Sequence, residues 1–85
     1  MTIDILYFAR LRETLGTATE RFELSARVSQ VKELLEVLRE RGGVWARELA
    51  DSKVVLVAVN QEIASLDTPL RSGDEVAIFP PVTGG

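Results

Sequence analysis

The chain has 85 residues and a net charge of −3, with 46% apolar and 27% charged residues and neither cysteine nor histidine. That length suits one domain around a single modest core, and the acidic balance argues against nucleic acid or an anionic membrane as partner, since both are gripped by clustered Lys and Arg. Without Cys or His there is no disulfide, no thiolate nucleophile and no Cys metal site, and the commonest general base and metal ligand is missing. No metal site and no directly bound cofactor are therefore expected, and any reactive atom is expected on the backbone. No apolar run is long enough to span a bilayer, and Met1-Thr2-Ile3-Asp4 lacks a basic leader region, so a soluble, cytoplasmic protein is expected.

Thr2 to Phe8 reads as a first strand, with Ile3, Ile5 and Tyr7 facing one way and Asp4, Leu6 and Phe8 the other. Ala9 to Leu15 has helix-forming composition over about two turns, and Gly16 supplies a stop. Thr19 to Leu24 reads as a half-exposed strand near an edge, with Phe22 and Leu24 on its apolar face. Ser29 to Arg41 is the main helix: Val31, Leu34, Leu35 and Leu38 form one apolar stripe. Ser29 is the expected N-cap, a choice that puts Lys32 at N3 and denies the helix a capping box. Gly42-Gly43 is expected to end it. Lys32, Glu36 and Arg39 read as a solvated face.

Val44 to Ala50 reads as a short helix with Trp45 as a core plug. Val54 to Val59 is an unbroken apolar run, the signature of a strand buried on both faces. Asn60-Gln61 turns it into a short strand around Ile63. Leu66 to Gly73 is a loop, and Glu75 to Phe79 is the final strand, with Val76 and Ile78 opposite Ala77 and Phe79. This order defines an α+β domain with one main helix on one face of a sheet.

A single helix covers only one side of a sheet. Ile3, Ile5, Tyr7, Val76 and Ile78 are assigned to that side. Leu6, Phe8, Ala77, Phe79 and alternate residues of the 54–59 run then form a second apolar face, and such a patch marks a partner interface unless the segment 9–15 or 44–50 folds over it. Beside it the chain finishes Pro80-Pro81-Val82-Thr83-Gly84-Gly85. The prolines end the strand and make a stiff neck, because neither ring nitrogen can donate to a ladder. Six residues reach roughly 20 Å when extended. The tail is thus shaped to carry the Gly85 carboxylate into another protein's active site, although the double glycine by itself reads equally as a frayed chain end.

The stretch Leu70-Arg71-Ser72-Gly73-Asp74-Glu75-Val76-Ala77-Ile78-Phe79-Pro80-Pro81-Val82-Thr83-Gly84-Gly85 resembles the end of the small, sulfur-carrying subunits of molybdopterin synthases. Leu6-Tyr7-Phe8-Ala9-Arg10-Leu11-Arg12-Glu13 and Ala58-Val59-Asn60-Gln61 are similar to that family too, whereas 30–50 match only in pattern. The resemblance implies a ubiquitin-like β-grasp domain over 1–85, with a flexible tail at 80–85 and the first and last strands paired at the sheet centre. It implies that an adenylating enzyme of the ubiquitin-activating type uses ATP to activate the Gly85 carboxylate, and that a sulfur donor protein converts it to a thiocarboxylate. The sulfur then passes to cyclic pyranopterin monophosphate inside the large synthase subunit. Phe8, Ile63 and Phe79 match apolar positions that pack on that subunit; Ile63 is supplied by the resemblance, not by alternation. Arg10 and Arg12 are open to contact with the activating enzyme, and read more simply as solvated charges. Two alternatives share the same tail: a carrier for thiamine synthesis or tRNA thiolation, and a ubiquitin-like modifier.

Overall fold

The computed structural model describes residues 2–50 and 52–81. In chain order it contains β1 (Thr2–Tyr7), α1 (Ala9–Leu15), β2 (Thr19–Glu23), α2 (Val31–Arg39), α3 (Gly43–Glu48), β3 (Leu56–Val59), β4 (Glu62–Ile63) and β5 (Glu75–Phe79). The strands form one five-stranded sheet in the order β2-β1-β5-β3-β4. β1 and β5 pair in parallel at the centre, and the other neighbours are antiparallel. Parallel neighbours cannot be joined by a tight turn, so the intervening chain must cross over the sheet, and its helices supply the cover. This is the α+β β-grasp arrangement, with β2 at an edge as its half-exposed pattern indicates.

Several boundaries differ from the sequence reading for identifiable reasons. β1 stops at Tyr7, and Phe8 becomes the N-cap of α1 with φ −125° and ψ 157°. Ala9 follows at φ 54°, a left-handed conformation that L-residues resist. The N-cap of α2 is Gln30, one residue later than expected, which moves Glu33 to N3 and completes a capping box. Glu33 Oε1 accepts from the Ser29 and Gln30 backbone N–H groups, both at 3.0 Å, and from the Ser29 hydroxyl at 2.8 Å. These donors, the Ser29 hydroxyl foremost, hold the Glu33 carboxyl below its ordinary range. At its other end α2 stops at Arg39 with Glu40 as cap, while Gly42 caps α3 and Gly43 opens it. The glycine pair therefore starts the next helix instead of only closing the last.

β3 begins at Leu56, later than the apolar run suggested. Leu56 pairs with Phe79, and the next residues along β5's path are Pro80 and Pro81, which have no N–H to share. Val54 and Val55 consequently lie outside the ladder, and Val54 is 67% exposed rather than buried. Asn60 and Gln61 make the tight turn to β4, both at positive φ (51° and 70°) as a two-residue hairpin requires. Asn60 is braced by Nδ2 donating to Asp74 Oδ1 and Oδ1 accepting from the Glu75 N–H, both 3.0 Å.

The core lies between α2 and one sheet face. Ile3, Ile5, Tyr7, Val76 and Ile78 are each at most 1% exposed, and Val31, Leu34, Leu35 and Leu38 of the α2 stripe at most 4%. Each such aliphatic side chain contributes about 1.5–3 kcal/mol relative to exposure. Leu11 of α1 and Leu49 after α3 join this same cluster. Arg39, assigned to the solvated face, donates from Nη1 to the Leu49 carbonyl at 3.1 Å and so ties α2 to the end of α3.

Trp45 closes one side of the core, packed edge-on against Tyr7 with centroids 5.5 Å apart and planes at 75°. Arg41 lies 4.4 Å from the Trp45 ring centroid and makes two 2.9 Å hydrogen bonds to Glu20. The Tyr7 hydroxyl donates to Glu20 Oε1 at 2.6 Å. Burial, then the neighbouring Glu20 carboxylate, pushes the Tyr7 phenol well above its usual range. Partial burial pulls Glu20 upward, but the hydrogen bonds from Arg41 and Tyr7 outweigh it and hold the carboxyl below its ordinary value.

Candidate functional site

The register defines what lies on the sheet face away from the helices. Thr19, Leu6, Ala77, Ala58 and Ile63 are successive partners across all the strands, so they form one row on that face. One step towards the C-terminal end of β5, Leu56 stands opposite Phe79. Phe8 comes alongside, its N–H donating to the Ile78 carbonyl at 3.2 Å. One step the other way the row changes character to Arg21, Asp4 and Glu75. The face is thus split across the strands. Its half nearest the tail is apolar, and its far half is charged.

This arrangement brings Leu6, Phe8, Ala77, Phe79 and Ile63 together. Ile63 is 72% and Phe8 45% exposed, while Leu6, Ala77, Phe79 and Leu56 are half-buried. Neither short helix covers them: Leu11 and Leu49 are drawn into the core on the opposite side. The positive φ at Ala9 turns the chain sharply after Phe8, so the strand's last apolar side chain stays on the open face while α1 departs towards the core.

β5 ends at Phe79, beyond which Pro80 is half-buried and Pro81 exposed. Val82, Thr83, Gly84 and Gly85, the remaining tail residues assigned from the sequence, lie outside the described residues. What is visible is the base of the tail, flanked by Phe8 and Leu56. Among the described residues no cluster of three or more His, Cys, Asp or Glu could hold a metal ion. The open face is a candidate contact surface. Its apolar side chains offer area and shape, with no titratable group among the tail-proximal rows.

Sequence reasoning missed one cluster beside this site. Arg10, read as solvated, lies 3.6 Å from Glu48, and Arg47 lies 3.4 Å from the same carboxylate. Nothing in the spacing of residues 10, 47 and 48 could have announced it, because it depends on how α1 and α3 pack.

Fold and face together define a ubiquitin-like β-grasp protein with an open apolar face at the root of its C-terminal tail. Residues 5–85 match the ThiS family, and the chain belongs to that family. It is 46% identical over 83 residues to the molybdopterin synthase sulfur carrier subunit of Escherichia coli, covering 98% of this chain and 99% of that protein. It is also 36% identical to small archaeal modifier protein 3 of Haloferax volcanii, covering the full length (100%) of both. Among solved structures, SAMP1 from Haloferax volcanii superposes with a TM-score of 0.79 at 30% identity, again over 100% of both chains.

Proposed function

We propose that this chain is the sulfur-carrying small subunit of a molybdopterin synthase. The observation that carries the reading is the apolar half-face of Phe8, Leu56, Phe79, Leu6, Ala77 and Ile63 gathered around the base of the tail. It is supported by the relative of that name, which matches from end to end at 46% identity. The body grips a partner, and the grip fixes where the tail goes.

The chemistry belongs to the Gly85 main-chain carboxyl. With an α-carboxyl pKa near 3.3–3.7 it is an anion at neutral pH. In the adenylating enzyme a carboxylate oxygen attacks the α-phosphorus of ATP and pyrophosphate leaves. A sulfur nucleophile from the donor protein then attacks the acyl carbon and AMP leaves, the usual logic of an activated acyl intermediate. The donor's persulfide thus leaves an acyl disulfide, which a second thiol cleaves by attack on the donor's sulfur; the donor ends as a disulfide and the terminus as a thiocarboxylate, ready to give its sulfur to cyclic pyranopterin monophosphate within the large subunit. Glycine at 84 and 85 lets enclosing backbone approach closely. A chain without cysteine cannot hold a persulfide on a side chain, so its terminus is the natural carrier. The partners are the large synthase subunit, the adenylating enzyme and the sulfur donor, and the setting is the cytoplasm; among the described residues no helix is long and apolar enough to cross a membrane.

The deciding experiment is an intact mass measurement on the chain incubated with its adenylating enzyme, ATP and a sulfur source. One oxygen replaced by one sulfur at the terminus is expected, and pterin conversion should follow when the large subunit is added. A chain blocked as the Gly85 amide that still supports conversion would overturn the reading. The similarity to a small archaeal modifier protein favours one alternative, conjugation of the terminus to lysines. High-molecular-weight conjugates in cells, in place of a free thiocarboxylate, would establish it.

A further inference from the structure

Successive residues of a strand aim their N–H and C=O groups at opposite edges. In β5 the even positions face β1: the Asp74 and Ile78 carbonyls accept from the Asp4 and Phe8 N–H groups at 3.0 and 3.2 Å. The odd positions face β3, since the Glu75 carbonyl accepts from the Asn60 N–H at 2.8 Å. Continued past Phe79, this alternation aims position 80 at the Phe8 carbonyl and position 81 at Val54, because Leu56 stands opposite Phe79. Proline fills both positions and has no N–H. The first proline thus deletes the next donor to β1, and the second deletes the next donor to β3.

The two neighbours are not equivalent templates. On the β1 side the Phe8 carbonyl already accepts from the Arg12 N–H at 3.4 Å, and Ala9 at φ 54° turns the chain away. On the β3 side Val54 and Val55 make no backbone–backbone hydrogen bond among the described residues, and Val54 is 67% exposed. Even the Val54 N–H, which could still donate to the Pro81 carbonyl, makes no such bond. Uncommitted backbone beside a strand end is a template for further pairing. The sequence after the prolines would suit it, because Val82 and Thr83 are β-branched strand formers. Without the prolines, no residue type would stop β5 from running on alongside 52–55.

That extension would conflict with the carrier role. A tail paired with its own sheet must break those bonds before it enters a partner, so its apparent affinity falls with the unpaired fraction. We infer that Pro80 and Pro81 are a two-sided stop that keeps the tail from annealing onto residues 52–55 of its own chain, with Pro81 as the decisive positioning residue. The inference rests on the carrier reading and gives the prolines a task beyond ending β5 and stiffening the neck.

The test separates the missing N–H from the stiff ring. Wild type is compared with Pro81→Ala and with a chain carrying N-methylalanine in place of Pro81, which has neither ring nor N–H. The last is made by joining two segments at Ala77 through a temporary cysteine that is then desulfurised to the native alanine, a route open to a chain without cysteine. Two quantities are read: the exchange rate of the Val54 amide, and pyrophosphate release from ATP with the adenylating enzyme as chain concentration varies. In Pro81→Ala the Val54 amide is expected to exchange roughly fivefold more slowly, and the half-saturating concentration to rise by the same factor, with the saturated rate unchanged. Both shifts measure one annealing equilibrium. The N-methylalanine chain should match wild type in both. Equal shifts in the two altered chains would make ring stiffness the cause and overturn the stop; no shift in either overturns it as well. A raised half-saturating concentration without slowed Val54 exchange also overturns it, since the tail would not then lie on Val54. Slowed exchange without that rise overturns the positioning role. Wild-type chain that releases no pyrophosphate and gains no sulfur by intact mass refutes the carrier reading, while the exchange comparison still decides the stop.

Discussion

The two faces of the sheet are made by alternate residues of the same strands, and both are apolar near the tail. On one, Ile5 and Val76 are fully buried (0% exposed) beneath the helices. On the other, their neighbours Leu6 and Ala77 are half-buried, and Phe8 and Ile63 are open to solvent. The difference lies in the company each face keeps, not in its composition. α2 supplies a matched stripe for one face, and no described segment supplies one for the other. Strand alternation therefore marks both faces as apolar, while only the fold shows which of them the described helices cover.

The strongest way to test this division is at the tail. Deleting Gly85 should abolish sulfur transfer while leaving the thermal unfolding midpoint unchanged, since in the proposed scheme that residue serves only the chemistry. On the covered face, Ile5→Ala should cost about 2–5 kcal/mol of stability, read by denaturant unfolding, because it leaves a cavity in packed surroundings. On the open face the same kind of truncation should separate binding from folding. Phe8→Ala or Phe79→Ala should weaken the large-subunit complex by about 2 kcal/mol or more in a titration, the range of a buried aromatic anchor. A Phe8→Ala variant that unfolds easily but binds normally would reverse the assignment of the two faces.

A smaller effect comes from the Tyr7–Glu20–Arg41 contact that pins β1 to β2 and the end of α2. Glu20 has a depressed pKa in the folded chain, so its stabilisation is present above the ordinary carboxylate value and is lost as pH falls through the lower folded value. Tyr7 has a raised one, so its stabilisation is present below the ordinary phenol value near 10 and is lost as pH rises beyond it. Unfolding curves across pH should thus weaken at both extremes, with Glu20→Gln flattening the acid limb and Tyr7→Phe the alkaline one. The smallest change is Gln61→Gly at the positive-φ position of the β3–β4 turn. Relief of the left-handed conformation should raise stability by about 0.5–1 kcal/mol and leave binding through Ile63 intact.

Much of the fold was legible because its signals are periodic. The α2 stripe and the β1 and β5 alternations identify the buried face, and the tail-proximal apolar residues follow from the same counting. Ile63 escaped because a two-residue strand has no period to count. The strand expected from Val54 was shortened by a cause that sits elsewhere in the chain, the prolines beyond Phe79. Ser29 is the better N-cap by type, yet Gln30 takes the position once Glu33 can reach back to both backbone N–H groups. Arg10, Arg47 and Glu48 meet only through helix packing, so no linear pattern contains them.

The parallel pairing of β1 with β5 has a practical corollary for handling the protein. Because both strands run the same way, Thr2 sits at the opposite edge of the molecule from Pro80, separated by the length of β1, about 20 Å at 3.3 Å per residue. A purification tag, fluorophore or surface tether attached ahead of residue 2 would leave the business end unobstructed. On the carrier reading, the same label fused after residue 85 would silence it.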